Sequence, residues 1–189
     1  RRDPRMRFKL DLDTPWTEAL RESLRTIGGI DVIDAKRRLE SERERRPLLD
    51  LADCLAVAGD FPGAVVEDLE RAFEPAVLER GLRVGVDALA LPKTLGRELD
   101  RLGERASVNL KPGRLGSWAA LLDAVRRSEG RGAEVRFGGE FELGPGLRQL
   151  QLLAALLAPR APNDVAPAAL HTDSNAAFSP SPSTVLGPF

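Results

Sequence analysis

Four residues stand where chemistry could be done, each at the point where a short apolar run stops being apolar. "VIDAK" turns polar at Asp34, "VVEDLE" at Glu67, "VGVDAL" at Asp87 and "VNLKPG" at Lys111. Three carboxylates brought together make an oxygen-only pocket, which suits a hard cation such as Mg2+. The lysine is informative by its type. Of the 28 basic residues only Lys9, Lys36, Lys93 and Lys111 are lysine; the rest are arginine. Arginine keeps its proton in proteins, whereas a partly buried lysine can be tuned towards neutrality and serve as a base. His171 is the only histidine and Cys54 the only cysteine, so no CxxC or HxxxH exists and a zinc site is disfavoured. Any one of the acids, taken alone, more simply caps a helix or solvates a loop. Three in series followed by a lysine reverse that preference.

The elements that must position these groups alternate along the chain. "RFKLDLD", "GIDVIDAK", "GAVVEDLE", "LRVGVDALAL", "ASVNLKPG", "AEVRFGGEFE" and "NDVAPAAL" read as strands. Between them "TPWTEALRESLRTI", "PLLDLADCLAVAG", "EPAVLERG", "TLGRELDRLG", "LGSWAALLDAVRRSEG" and "LRQLQLLAALLAP" read as helices, with apolar residues returning every three or four positions. Thr14 can cap the first helix and Pro15 fits its first turn. Several strands are apolar on both sides, as in a parallel sheet covered by helices, which gives an α/β class. Seven strands in series sit one short of a (β/α)8 barrel. After the first strand "DLDTPW" is no glycine-rich phosphate turn, so a barrel is preferred to an open doubly wound sheet. In a barrel the carboxyl ends of the strands converge, and Asp34, Glu67, Asp87 and Lys111 would share one face.

Composition sets outer limits. The chain has 189 residues, 42% hydrophobic and 30% charged, with a net charge of −1. That balance fits one globular domain with a sizeable core and gives no attraction to nucleic acid or to an anionic membrane. No apolar run approaches the roughly 20 residues that span a bilayer. Cys54 lies in "LLDLADCLAV" and is expected to be a buried structural thiol. The chain opens on "RRDPRMRFKL", without methionine or an apolar signal region, so a missing amino-terminal part and a cytoplasmic location are expected. Residues 1–173 form the expected barrel domain, and residues 174–189, rich in Ser and Pro, a loosely held tail.

The order Asp34, Glu67, Asp87, Lys111 resembles the enolase superfamily, in particular its muconate-cycloisomerase and o-succinylbenzoate-synthase-like branch. "VNLKPGRLGS" is similar to that branch's sixth-strand motif, "FGGEFELGPG" to its seventh-strand glycine segment and "NDVAP" to its eighth-strand ending. "FKLDL" falls where the family has a Lys-x-Lys pair on its second strand. The resemblance covers about residues 6–170. It implies a modified TIM-type barrel lacking its first strand and the amino-terminal α+β capping domain. It further implies Mg2+ held by Asp34, Glu67 and Asp87, with a small-molecule carboxylate substrate losing its α-proton to Lys111. Gly139 and Glu142 of the glycine segment, with Lys36, would border the substrate, and a homo-oligomer is allowed.

Two departures bear on the reaction. Lys9 matches the first lysine of the second-strand pair, but Asp11 takes the place of the second, which ordinarily serves the opposite substrate face. Asp11 could act as that second base, although beside a metal it would be too acidic. A one-base elimination or cycloisomerisation needs only Lys111, whereas a two-base epimerisation needs both faces served. Glu67 and Asp68 compete for one ligand role, and Glu67 is preferred. Lys36, two residues after Asp34, either neutralises the metal site or forms a surface ion pair. The alternative to an enzyme is a metal- or carboxylate-binding barrel silenced by the change at Asp11. A chain inactive without its cap and first strand is the third reading.

Overall fold

The computed structural model describes residues 7–36, 49–140 and 142–165. The proposed tail, His171 and most of the charged run "KRRLESERERR" lie outside the described residues. Among the described residues six strands form: β1 (Phe8–Asp11), β2 (Ile30–Asp34), β3 (Val65–Glu67), β4 (Arg83–Val86), β5 (Ala106–Leu110) and β6 (Glu134–Phe137). They are all parallel and pair in sequence order, giving a curled half-barrel. Of the expected seventh strand, residues 163–165 are described, and there Asp164 bridges to Gly138. Asp164 N–H donates to Phe137 O (2.8 Å) and Gly139 N–H to Asp164 O (3.1 Å).

The crossover helices are α1 (Glu18–Ile27), α2 (Leu51–Asp60), α3 (Glu74–Glu79), α4 (Leu95–Leu102), α5 (Pro112–Leu115), α6 (Trp118–Glu129) and α7 (Gly144–Leu157). Thr17, not Thr14, caps α1, accepting from Leu20 N–H at 3.3 Å, so Pro15 precedes the helix. Asp50 and Asp53 cap α2 reciprocally, each side chain meeting the other's backbone N–H. Gly116, left-handed at φ 78°, ends α5, and the Ser117 side chain then starts α6 by accepting from Ala120 N–H. The sequence reads Pro112 and Gly113 as the end of a strand, so the short helix α5 is an addition to the expected elements.

Strand residues alternate between two very different faces. Ile33, Val66, Val84, Val86, Val108, Leu110, Val135 and Phe137 join the helix-covered apolar core with Leu95, Leu99 and Leu121. The intervening positions, Lys9, Asp34, Glu67, Gly85, Ser107, Asn109, Lys111 and Arg136, face the other way and carry the chemistry. Cys54 is buried, and burial, with the charges of Asp53 and Asp50, pushes its thiol up to about 11. Iodoacetamide at about pH 8 should therefore leave Cys54 unmodified in the folded chain and label it in denaturant, read by mass spectrometry. Trp16 packs edge-on against Phe61, ring centres 6.3 Å apart. Trp118, at the start of α6, is 58% exposed.

Gly85 shows how tightly the polar face is built. A side chain there would bring its Cβ within 2.8 Å of Glu67 Cα and 2.9 Å of Glu67 Cβ, closer than carbon atoms pack. Gly85→Ala must push β3 and β4 apart, and a loss of about 1–3 kcal/mol is expected. Urea unfolding would show it.

Candidate functional site

Parallel register puts the strand-end acids in a row. Asp11 is opposite Asp34 between β1 and β2, and Asp34 is opposite Glu67 between β2 and β3. Asp87 follows the end of β4, and Lys111 the end of β5. The four residues singled out in sequence thus lie at the carboxyl ends of consecutive strands, and all four are buried.

Their side chains divide into two ion-paired groups. In the first, Lys9 Nζ lies 2.5 Å from Glu67 Oε2, 2.9 Å from Asp164 Oδ2 and 3.3 Å from Asp34 Oδ2. Burial alone would lower the Lys9 pKa, but the Glu67 charge and hydrogen bonds to Glu67 and Asp164 outweigh it, so Lys9 is held protonated. Lys36 adopts a left-handed backbone (φ 51°) that turns it back on Asp34. Its N–H donates to Asp34 Oδ1 (2.9 Å), and its Nζ reaches Asp34 Oδ2 (2.8 Å) and Asp11 Oδ1 (3.0 Å). Burial opposes the charge on Lys36, and hydrogen bonds to Asp34 and Asp11 more than restore it, raising its pKa. Asp11 is therefore tied to an ammonium group.

Glu67 is the centre of this group. It is fully buried, as is Arg136, whose Nη2 lies 2.5 Å from Glu67 Oε1. Asn109 Nδ2 donates to the same oxygen at 3.3 Å, and Arg136 Nε donates to Ser107 Oγ at 2.9 Å. Burial would raise the Glu67 pKa, but the charges of Arg136 and Lys9 overcome it and keep the carboxylate ionised. Asp68 plays a different part. With φ 47°, it accepts from Asp87 N–H and Ala88 N–H, both at 3.2 Å. Burial, then the neighbouring charges of Asp87 and Glu67, push its pKa up to about 6.

The second group surrounds Lys111, which is 9% exposed. Lys111 Nζ is 2.9 Å from Asp87 Oδ2 and 3.5 Å from Glu140 Oε1. Arg114, from α5, donates to Asp87 Oδ1 (3.0 Å) and Asp87 O (3.1 Å) and pairs with Glu140. Glu142 and Gly139, named in sequence as bordering the substrate, meet in the glycine turn. Glu142 accepts from Glu140 N–H (2.5 Å) and so braces the glycine turn. A Cβ on Gly139 would lie 2.9 Å from Glu142 Oε2, so this carboxylate occupies the space that a side chain would need. The Gly139 N–H is already given to Asp164 O. Glu142 also lines a cavity of about 260 Å3 with Pro112, Trp118, Leu121, Leu150 and Leu153, between α5, α6 and α7.

Arg136, Asn109, Arg114, Glu140 and Asp164 escape sequence reasoning. Arg136 alone left a signal: a charged residue at an inward position of "AEVRF", two residues after Glu134, inside a strand otherwise read as buried on both faces.

The fold and this strand-end cluster define a partial parallel α/β barrel of the enolase carboxyl-terminal type. It is similar in structure to a probable mandelate racemase from Alicyclobacillus acidocaldarius, at 22% identity and a TM-score of 0.65, over 87% of this chain and 43% of that one. An L-Ala-D/L-Glu epimerase aligns at 19% identity and a TM-score of 0.56, over 82% of this chain and 46% of that one. Both are enolase-superfamily members, and the likeness shows the fold. The chain spans less than half the length of either. Residues 1–172 match the family described as the C-terminal domain of a domain of unknown function, DUF8230, and the chain belongs to that family. No curated protein sequence matches it. Among the described residues no helix is long and apolar enough to cross a membrane.

The Mg2+ implied by the resemblance can be tested against the donor set. Carboxylate oxygens are the right chemistry for it. The arrangement is not: both oxygens of Asp34, Glu67 and Asp87 are engaged by this chain's own nitrogen groups. Among the described residues no three acidic, histidine or cysteine side chains are grouped to hold a metal ion.

Proposed function

We propose that the protein removes a proton α to the carboxylate of a small-molecule substrate, with Lys111 as the base. The observation that carries this is Lys111 itself: a nearly buried lysine closing β5, on the inward face shared with Lys9 and Lys36. The fold likeness to a racemase and an epimerase supports the same class. In the proposed step the substrate Cα–H bond breaks and a new N–H bond forms on Lys111. The electron pair moves into the carboxylate as an enediolate. Lys111 takes up the proton on Nζ, positioned by Asp87, Arg114 and Glu140. Lys9 and Lys36, held protonated, offset the second negative charge as it develops.

The tie between Asp11 and Lys36 favours a one-base elimination or cycloisomerisation over epimerisation, because Asp11 is not free to serve a second face. The muconate-cycloisomerase and o-succinylbenzoate-synthase branch fits that choice. A second reading rests on the same tie: a carboxylate-binding barrel without turnover.

The test is α-deuterium incorporation in D2O by the full-length protein, across dipeptides, N-acyl amino acids and cyclic acids, with Mg2+ and separately with EDTA. Incorporation that disappears in Lys111→Ala supports the enzyme. Binding of an acid without incorporation supports the silent barrel.

A further inference from the structure

We infer that the place of the divalent cation is taken in this chain by two of its own cations, Lys9 and Arg136, so that the strand-end carboxylates do not recruit a metal. Lys9 Nζ lies between the carboxylates of Asp34 and Glu67, at 3.3 and 2.5 Å. That is where an ion shared by the two would have to sit. Arg136, fully buried and hydrogen bonded to Ser107, holds the other Glu67 oxygen. A guanidinium cannot lose its charge in a protein, so this contact is permanent. Asp34 has its remaining oxygen filled by the Lys36 backbone, and Asp87 is divided between Lys111 and Arg114.

A divalent ion arriving here meets several obstacles together. It must break ion pairs at buried carboxylates, and it must sit close to Arg136, which has no route to solvent. It must also displace Lys9, which is anchored by Asp164 as well, at 2.9 Å. Repulsion between like charges is poorly screened at such depth. The consequence for chemistry is that negative charge developing on a bound anion would be met by ammonium groups rather than by a Lewis acid.

The inference concerns the ion site and does not depend on turnover. Mn2+ serves as probe, because it shares the oxygen-donor preference of Mg2+ and is read directly by electron paramagnetic resonance. The full chain is titrated as wild type, as Lys9→Met, and as Lys9→Met/Asp34→Asn, each checked for folding by circular dichroism. Absence of saturable binding by the wild type, a gain of about tenfold or more in affinity on Lys9→Met, and loss of that gain in the double variant carry the inference. Saturable binding by the wild type with the affinity of Lys9→Met overturns it. So does a Lys9→Met protein that folds and gains nothing.

The deuterium assay keeps this separate from the proposed reaction. Incorporation that persists in EDTA upholds both. Incorporation that requires Mg2+ overturns the metal-free site and leaves Lys111 as the base. A wild type that neither binds Mn2+ nor exchanges, with binding gained in Lys9→Met, upholds the ion site and removes the reaction.

Discussion

Glu67→Gln is expected to destabilise the fold by about 3–5 kcal/mol, the cost of breaking a buried ion pair from one side. Glu67 and Arg136 are both fully buried, and the substitution removes the negative charge facing Arg136, leaving its guanidinium the neutral amide oxygen at 67 and the Ser107 hydroxyl. Lys9 can relax towards Asp34 and Asp164, but Arg136 has nowhere to go. Urea unfolding of the single variants and of Glu67→Gln/Arg136→Met gives the coupling between the two. The double variant should recover much of the loss, because no uncompensated charge remains in it. A single-variant cost below about 1 kcal/mol, typical of an exposed pair, would show that water reaches Arg136 and that the polar face is not closed.

Lys111→Arg is expected to abolish α-proton exchange, by about three orders of magnitude or more, while changing stability little. The replacement keeps the positive charge, so the pairings with Asp87 and Glu140 can be re-formed. What it removes is the ability to become a neutral amine. Lys111→Ala removes charge and base together, and its effect alone cannot tell the two apart. If Lys111→Arg retains exchange, Lys111 is an electrostatic group and the base lies elsewhere. If exchange is lost while acid binding measured by calorimetry persists, proton transfer is the function of this position.

The alternation of strands and helices was legible because its signals are local. Runs such as "AVVED" and "ASVNL" declare buried strands by composition alone, and "WAALLDAVRRSE" declares a helix by its period. The strand ends at Asp34, Glu67, Asp87 and Lys111 were legible for the same reason, because an apolar run that breaks on a charge marks its own boundary. Helix starts were less so. Thr14 reads as a cap in sequence, yet it is Thr17, three residues on, whose side chain accepts from the first turn of α1. The exposure of Trp118 was not legible either, because a large apolar residue in a first helical turn does not say which way that turn faces.

By itself, then, the sequence determined the class of fold, the order of its elements and the set of acids and lysines at the strand ends. These follow from patterns a few residues long. Tertiary structure alone decided what those groups do to one another. The contacts of Lys9 with Glu67, Glu67 with Arg136 and Lys111 with Asp87 join residues far apart in the chain, and strand register and sheet curl bring them together. Sequence showed three acids suited to a cation. Only the folded sheet showed that cations of the same chain already meet them.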